Sequence, residues 1–258
     1  MEGPLLAWWL ALCAAAVVNP LLWAWSARHL ASDAPASRRR ILRLSGLYVL
    51  GCGFRSVFPM IDAPRVCLFD NAISRIAVGR TIATVAELAF ALQWALLLRE
   101  AASASRAAAL ASRAIVPVIG LAEVFSWSAV LTSNYLFHAV ENSLWTLAAV
   151  LGLAAFLSLR PRADTATVRF IDAACVGALI YISYMTIADV PMYVHRWLAA
   201  GGATVPLDEG LRTLLERCVV RREWSAWRDD ATWLTLYFTV CVWVSAALPH
   251  APRLGISK

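Results

Sequence analysis

The chain has 258 residues, of which 60% are hydrophobic and only 16% are charged, and its mean hydropathy is +0.65. A soluble globular domain carries about 25% charged and roughly 45–50% apolar residues. This composition excludes disordered, collagen-like and disulfide-dense secreted chains. It also excludes an ordinary soluble enzyme, because several apolar runs are too long for core helices. The composition therefore predicts an all-α polytopic membrane protein.

Seven apolar segments each have the roughly 20 residues that a helix needs to cross about 30 Å of hydrocarbon. They lie at 5–26, 41–60, 76–98, 114–133, 140–158, 170–190 and 231–248. The first segment follows Glu2 and no basic residue, and no small-x-small cleavage site comes after it, so we expect a retained helix. The sequence predicts one seven-helix transmembrane domain over residues 1–258.

The positions of Lys and Arg predict the orientation, because cytoplasmic loops are enriched in both. The connections after the first, third and fifth segments, with the carboxyl terminus, carry 13 basic residues, and the other side carries eight. Six of those eight lie in one long loop, 191–229, where acidic residues nearly balance them. We expect the amino terminus outside and the carboxyl terminus in the cytoplasm. The Ala- and Arg-rich, Lys-poor composition indicates a bacterial inner (plasma) membrane.

The long outer loop, 191–229, contains a pattern typical of a short amphipathic helix. Pro206 can open the helix, and Asp208 and Glu209 lie in its first turn, near the positive end of the helix dipole. One face carries the apolar residues Leu207, Leu211, Leu214 and Cys218. We expect this helix to lie at the outer membrane surface, either as a packed surface element or as a lid over a site.

Two cysteines, Cys67 and Cys218, lie outside the predicted spans and on the predicted outer side. Disulfides form and persist in the oxidising periplasm. A bridge would tie the long loop to the connection between the second and third segments. The alternative is that Cys218 only completes the apolar face of the amphipathic helix.

The twelve tryptophans fit interfacial belts, where an apolar ring with a polar N–H anchors a helix. We expect one group near the outer interface, Trp8, Trp9, Trp197, Trp224, Trp227 and Trp233, and another near the inner interface, Trp23, Trp25, Trp94 and Trp243. Stacking of one tryptophan on a substrate is the alternative.

Ionisable and polar residues inside the spans are the main candidates for function, because their insertion into a membrane is costly. The candidates are Arg55, Arg80, Glu87, Glu123, His138, Glu141, Asn142, Asp189, Tyr193 and His195. At 1.5 Å per residue they lie between the outer surface and the midplane, while the inner half of the membrane is nearly empty of them. We expect one polar pocket open to the outer leaflet.

The residue types indicate roles in that pocket. Glu87, Glu123, His138 and Glu141 are the candidate catalytic residues, since carboxylates and imidazole act as general acids and bases. The candidate substrate-binding residues are Arg55, Arg80, Asn142, Asp189, Tyr193 and His195. The two arginines would hold an anionic head group, because guanidinium binds phosphate or carboxylate bidentately.

His138 and Glu141 are one helical turn apart, and with Glu123 they could hold a divalent metal such as zinc or iron. The alternative for all these residues is a set of structural ion pairs between helices. If Glu87 and Glu123 are close, they would share a proton or form an interhelical hydrogen bond.

Several cofactors and partners are excluded by the sequence. Retinal needs a lysine in the seventh helix, and the only lysine is Lys258 at the carboxyl terminus. No nucleotide-binding loop or dinucleotide fingerprint is present, and the cytoplasmic loops account for the net charge of +6, so neither nucleotide nor nucleic acid is expected. Membrane lipids are the expected partners, and the oligomeric state stays open.

Three function classes remain. The first is a membrane-embedded enzyme that acts on a lipid or another apolar substrate. The second is a transporter or proton-coupled carrier that uses the same pocket. The third is a membrane sensor or assembly subunit in which the charges only pair helices.

Overall fold

The computed structural model describes residues 1–63, 65–215 and 218–254. Lys258, on which the exclusion of retinal rests, lies outside these ranges. The α-helices within them are α1 Gly3–His29, α2 Ala36–Val57, α3 Ile76–Arg99, α4 Arg106–Thr132, α5 Tyr135–Leu159, α6 Thr165–Tyr184, α7 Val190–Ala199, α8 Leu207–Leu215, α9 Arg228–Phe238 and α10 Val240–Ala247.

Six helical segments of the described chain are long and apolar enough to cross a membrane. They are Gly3–His29, Ile76–Arg99, Arg106–Thr132, Tyr135–Arg162, Thr165–Ala199 and Arg228–His250. The chain is therefore an all-α, multi-pass integral membrane protein. The helix α2 corresponds to the second predicted span, but it carries five arginines and is too polar to qualify by composition.

Two helices begin earlier than the hydropathy pattern predicts because polar residues cap them. The Ser105 hydroxyl accepts a 3.3 Å hydrogen bond from the backbone N–H of Ala108, which starts α4 ahead of position 114. The Asn134 side chain accepts a 2.9 Å hydrogen bond from the N–H of Leu136 and starts α5 ahead of position 140. Such caps satisfy N–H groups that have no partner within the helix.

The sixth predicted span, 170–190, is too short, and the loop predicted at 191–229 begins as helix. A π-helical turn, Met185–Asp189, joins α6 to α7, and the backbone N–H of Val190 bonds to the Met185 carbonyl. This wider turn precedes Pro191 and lets the helix continue past a residue that lacks an N–H donor.

The last predicted span is interrupted at Thr239, between α9 and α10, where the backbone has φ −122° and ψ −79°. Asn19 of α1 bridges the interruption. Its amide donates a 2.8 Å bond to the Phe238 carbonyl, and its oxygen accepts a 3.1 Å bond from Trp243 Nε1. A carbonyl released by a helix break inside a bilayer needs a partner within the protein.

Three short strands, which the sequence analysis did not predict, form a small sheet: β1 Met60–Ile61, β2 Val66–Cys67 and β3 Val219–Val220. The strand β1 pairs antiparallel with β2, and β2 pairs parallel with β3. Cys67 and Cys218 form a disulfide with a Cα–Cα distance of 5.8 Å, which decides between the two alternatives that the sequence left open for Cys218.

The amphipathic helix predicted from Pro206 is present as α8, and it packs against α4. Gly210 makes the close contact, because a Cβ atom there would overlap the Leu131 carbonyl oxygen. Leu214 is buried, whereas Leu207 and Leu211 are exposed. The helix therefore packs through only part of its predicted apolar face.

The two ends of the helix bundle differ. At one end, which we call the strand end, Glu2 accepts a 2.7 Å hydrogen bond from the backbone N–H of Trp224, beside the sheet. At the other, which we call the Glu100 end, Arg38 contacts Glu100 at 2.7 Å and donates to the Leu248 carbonyl at 3.0 Å. The two ends of the described chain thus lie at opposite ends of the bundle.

Candidate functional site

The centre of the site is Arg80, a buried residue of α3. Its Nη2 lies 2.7 Å from Glu87 Oε2 and 2.9 Å from Glu123 Oε2. Its Nη1 lies 3.3 Å from Asp62 Oδ2 and 3.7 Å from Glu141 Oε1. Four carboxylates, from α3, from α4, from α5 and from the turn after β1, thus meet at one guanidinium. We call these five residues the Arg80 cluster.

Arg55, in the last turn of α2, extends this cluster toward the strand end. Its Nη2 lies 3.6 Å from Asp62 Oδ1 and donates a 3.1 Å hydrogen bond to the Met60 carbonyl. Asp62 therefore links both arginines. Sequence reasoning missed Asp62 because it lies outside the predicted spans, in a short connection where a carboxylate is ordinarily exposed to solvent and gives no sign of a buried partner.

Glu123 does not line the cavity that the other members share. It lies behind Arg80, where its Oε2 also accepts a 2.6 Å hydrogen bond from Thr84, which in turn accepts one from Trp127 Nε1 at 3.0 Å. The predicted catalytic role of Glu123 does not fit this position. Its contacts make it a residue that positions the Arg80 guanidinium.

His138 and Glu141 form a pair in the first two turns of α5. His138 Nδ1 lies 2.7 Å from Glu141 Oε2, at a spacing of three residues. The other ring nitrogen, Nε2, is buried and has no hydrogen-bond partner within the described parts of the chain. With Nδ1–H donated to the carboxylate, the neutral ring presents the Nε2 lone pair as an acceptor. Sequence spacing predicted this pair correctly as neighbours.

Three more of the predicted site residues lie near His138: Asn142, Asp189 and Tyr193. The Asn142 amide donates a short hydrogen bond to Asp189, which lies in the π-helical turn. The Tyr193 ring lies 5.0 Å from the His138 ring. His195 is exposed and does not line the cavity, since two residues along a helix turn its side chain to the opposite side from Tyr193.

A cavity of about 670 Å³ runs between the helices, within the range of roughly 300–1,000 Å³ typical of small-molecule pockets. It follows α5 from His138 to Phe156, about 27 Å at the helical rise. The ionisable groups lie at its strand end. Toward the Glu100 end the walls are apolar and include Leu98, Ile115, Phe156, Phe170 and Leu248. The cavity is therefore mainly apolar, unlike the polar pocket that the sequence analysis predicted.

Three of the tryptophans predicted as interfacial anchors face the protein interior. Trp94 and Trp233 line the cavity, and Trp227 is fully buried. Burial of Trp227 is possible because its Nε1 donates a 3.1 Å hydrogen bond to the Arg221 carbonyl. Interface and interior tryptophans have the same sequence signature.

The predicted metal set does not fit the geometry. Within 1–63, 65–215 and 218–254, no group of three or more His, Cys, Asp or Glu side chains is arranged to hold a metal ion. Glu141 is bound to His138 Nδ1, and Glu123 faces Arg80 and Thr84. The candidate ligands are thus committed to different partners.

No protein-family model matches this chain, and no curated protein or solved structure matches it. The fold and the site define the class directly: a multi-pass integral membrane protein with a buried ion cluster at one end of a long apolar cavity.

Proposed function

We propose that this protein is a membrane-embedded enzyme that acts on a lipid or another apolar substrate, with His138 as the general base. One observation carries the proposal. His138 Nε2 is buried and unpartnered among the described residues, and His138 lines a cavity whose walls are otherwise largely apolar. Such a nitrogen can take a proton from a substrate hydroxyl or from water.

The surroundings of His138 suit that chemistry. When Nε2 accepts a proton, the ring becomes a cation, and the Glu141 carboxylate 2.7 Å from Nδ1 stabilises it. Arg80, 3.7 Å from the other Glu141 oxygen, fixes the carboxylate in place. In this scheme Glu87, which lines the cavity and accepts a 3.0 Å bond from the Tyr237 hydroxyl, is the candidate second acid/base group.

The shape of the cavity supports an apolar substrate. Ile180 of α6 and Val240 and Val244 of α10 line it and are 66%, 43% and 36% exposed. We propose that the cavity opens sideways between α6 and α10, toward the hydrocarbon, so that a lipid chain enters without crossing water. Toward the Glu100 end the described cavity walls are apolar, which favours the enzyme over a proton-coupled carrier.

We infer that the strand end faces outward and the Glu100 end faces the cytoplasm of a bacterial plasma membrane. The 13 basic residues assigned to the inner side and the disulfide at the strand end support this orientation. We also infer that α2 is a seventh span. The ends of the described chain lie at opposite ends of the bundle, which requires an odd number of crossings. Asp62 also neutralises Arg55 near one end of α2.

The test is conversion of a total lipid extract by the purified protein in nanodiscs, followed by lipid mass spectrometry. We expect the wild type to convert at least one lipid species and His138→Gln to lose activity by roughly 10²–10⁴-fold, the usual contribution of a general base. His195→Gln, which changes an exposed histidine away from the cavity, is the matched control and should retain activity. No conversion by the wild type, or equal conversion by His138→Gln, contradicts the proposal.

A further inference from the structure

The buried site carries an excess of negative charge. It holds two arginines, Arg55 and Arg80, and five carboxyl groups, and with one proton shared between Glu87 and Glu123 and His138 neutral its formal charge is −2. The carboxylates are Asp62, Glu87, Glu123, Glu141 and Asp189. Uncompensated charge is costly in a medium of low dielectric. An added cation would therefore be stabilised here, whereas an added anion would not.

Asp189 is the member of this set whose charge is least compensated. The other four carboxylates each lie within 4.0 Å of a guanidinium nitrogen. In the described part of the chain Asp189 has no ion pair, and its hydrogen-bond partner is the neutral amide of Asn142. Asp189 is only 5% exposed, and it lines the cavity.

Aromatic rings line the cavity that Asp189 also lines. The Tyr184 ring stacks on Trp233 with centroids 5.8 Å apart and an angle of 12°. Both rings line the cavity with Tyr193 and Asp189. Aromatic faces attract ammonium groups through the ring quadrupole, and cages of such rings bind quaternary ammonium ligands.

Arg196, a basic side chain beside Tyr193, does not fill this role. Arg196 is held by Asp230, with Nη2 3.1 Å from the carboxylate, and its Cζ lies 5.5 Å from the Tyr193 centroid. The pair adds no net charge to the site. It also demonstrates that the Tyr193 ring can accommodate a cation nearby.

We propose that the strand end of the cavity binds the ammonium head group of an amphiphile, with Asp189 as its counter-charge. Tyr184, Tyr193 and Trp233 form the aromatic walls around the head group, and the apolar chain lies along α5. The proposal rests on the proposed lipid-directed function and names the head group of the substrate. It replaces the anionic head group expected for Arg55 and Arg80, whose guanidinium groups already face carboxylates.

The experiment compares the binding of dodecyltrimethylammonium and dodecyl sulfate, below their micellar concentrations, to the full-length protein in maltoside detergent, by native mass spectrometry. We expect the ammonium probe to bind at least tenfold more tightly than the sulfate. Asp189→Asn should lose at least tenfold in affinity for the ammonium probe. Asp172→Asn makes the same charge change at a 46% exposed carboxylate paired with Arg160, and it should bind like the wild type.

Three results would overturn the inference: equal or tighter binding of the sulfate, unchanged ammonium binding in Asp189→Asn, or equally tight binding of tetramethylammonium, which lacks the chain. The result is separable from the fate of the proposed function. If His138→Gln abolishes lipid conversion while Asp189→Asn binds the probe normally, the enzyme proposal stands and the head-group inference falls. If ammonium binding is as expected but the wild type converts no lipid, the head-group inference stands and the enzyme proposal falls.

Discussion

At the scale of single residues, Arg80 holds the site together because one planar guanidinium serves four carboxylates. A guanidinium offers five N–H donors in a fixed plane, whereas a lysine ammonium is a point charge with three. Removal of one partner from a buried ion pair leaves an uncompensated charge in a low dielectric. The cluster therefore depends on arginine at this position rather than on positive charge alone.

Arg80→Met should destabilise the protein by roughly 3–5 kcal/mol, the usual cost of breaking a buried ion pair. Arg80→Lys should lie between the wild type and this variant. The measurement is the thermal unfolding midpoint in detergent. The control is Arg160→Met, because Arg160 is 51% exposed in its pair with Asp172 and exposed pairs contribute about 0–1 kcal/mol. Equal midpoints for Arg80→Met and Arg160→Met would show that the cluster is not structural.

The sequence predicted part of this site and missed the rest for physical reasons. Arg80 and Glu87 are seven residues apart, which is two helical turns, so their shared face could be predicted. The separation of Arg80 from Glu123 is 43 residues, and contact between them depends on how α3 and α4 pack, which hydropathy does not encode. The placement of Glu123 behind Arg80, and not in the cavity, follows from the same packing.

At the scale of secondary-structure elements, the walls of the cavity are shaped by interruptions in two helices. The π-helical turn carries Asp189 into the polar end, and the break at Thr239 lies next to Val240 at the lateral opening. Neither interruption was predicted, because the apolar runs continue through both positions. A stretch that is long and apolar enough to span a membrane gives no sign of where its hydrogen-bond ladder changes.

The docking of α8 on α4 gives a prediction at this scale. Because a Cβ at position 210 would overlap a backbone oxygen of Leu131, Gly210→Ala should displace α8 and speed amide hydrogen exchange across Leu207–Leu215. Alanine favours helix over glycine by about 1 kcal/mol, so the expected loss of protection cannot come from helix propensity. Gly120→Ala, where nothing lies within 4 Å of the new atom, should leave α8 unchanged. Unaltered exchange in Gly210→Ala would refute the close contact.

At the scale of the whole molecule, hydropathy predicted an all-α, multi-pass chain, and the structure confirms that class. The placement of Cys67 and Cys218 left a disulfide open as one of two alternatives, and the structure contains it. The small sheet that contains Cys67 was not predicted. Its strands have two residues each, and β2 and β3 are about 150 residues apart in the chain. Pairing of such short segments arises from the folding of the helices that carry them.

The proposed topology predicts opposite labelling of two exposed residues. Thr204 follows α7 at the strand end, and Ser32 lies in the turn between α1 and α2 at the Glu100 end. In intact cells, an impermeant maleimide should label Thr204→Cys, and it should label Ser32→Cys only after the membrane is opened. The unsubstituted chain, with its native thiols, gives the background. The reverse pattern would mean that the strand end faces the cytoplasm.

The Arg80 cluster also bears on how the chain is made. Synthesis proceeds from the amino terminus, so Asp62, 18 residues before Arg80, is already present when α3 emerges. Glu87 follows only seven residues later on the same helix, whereas Glu123 arrives 43 residues after Arg80. At each stage of insertion, a carboxylate that can pair with Arg80 has therefore already been synthesised. The nascent third helix brings its own counter-ion into the bilayer, and the later helices add theirs to a charge that is already neutralised.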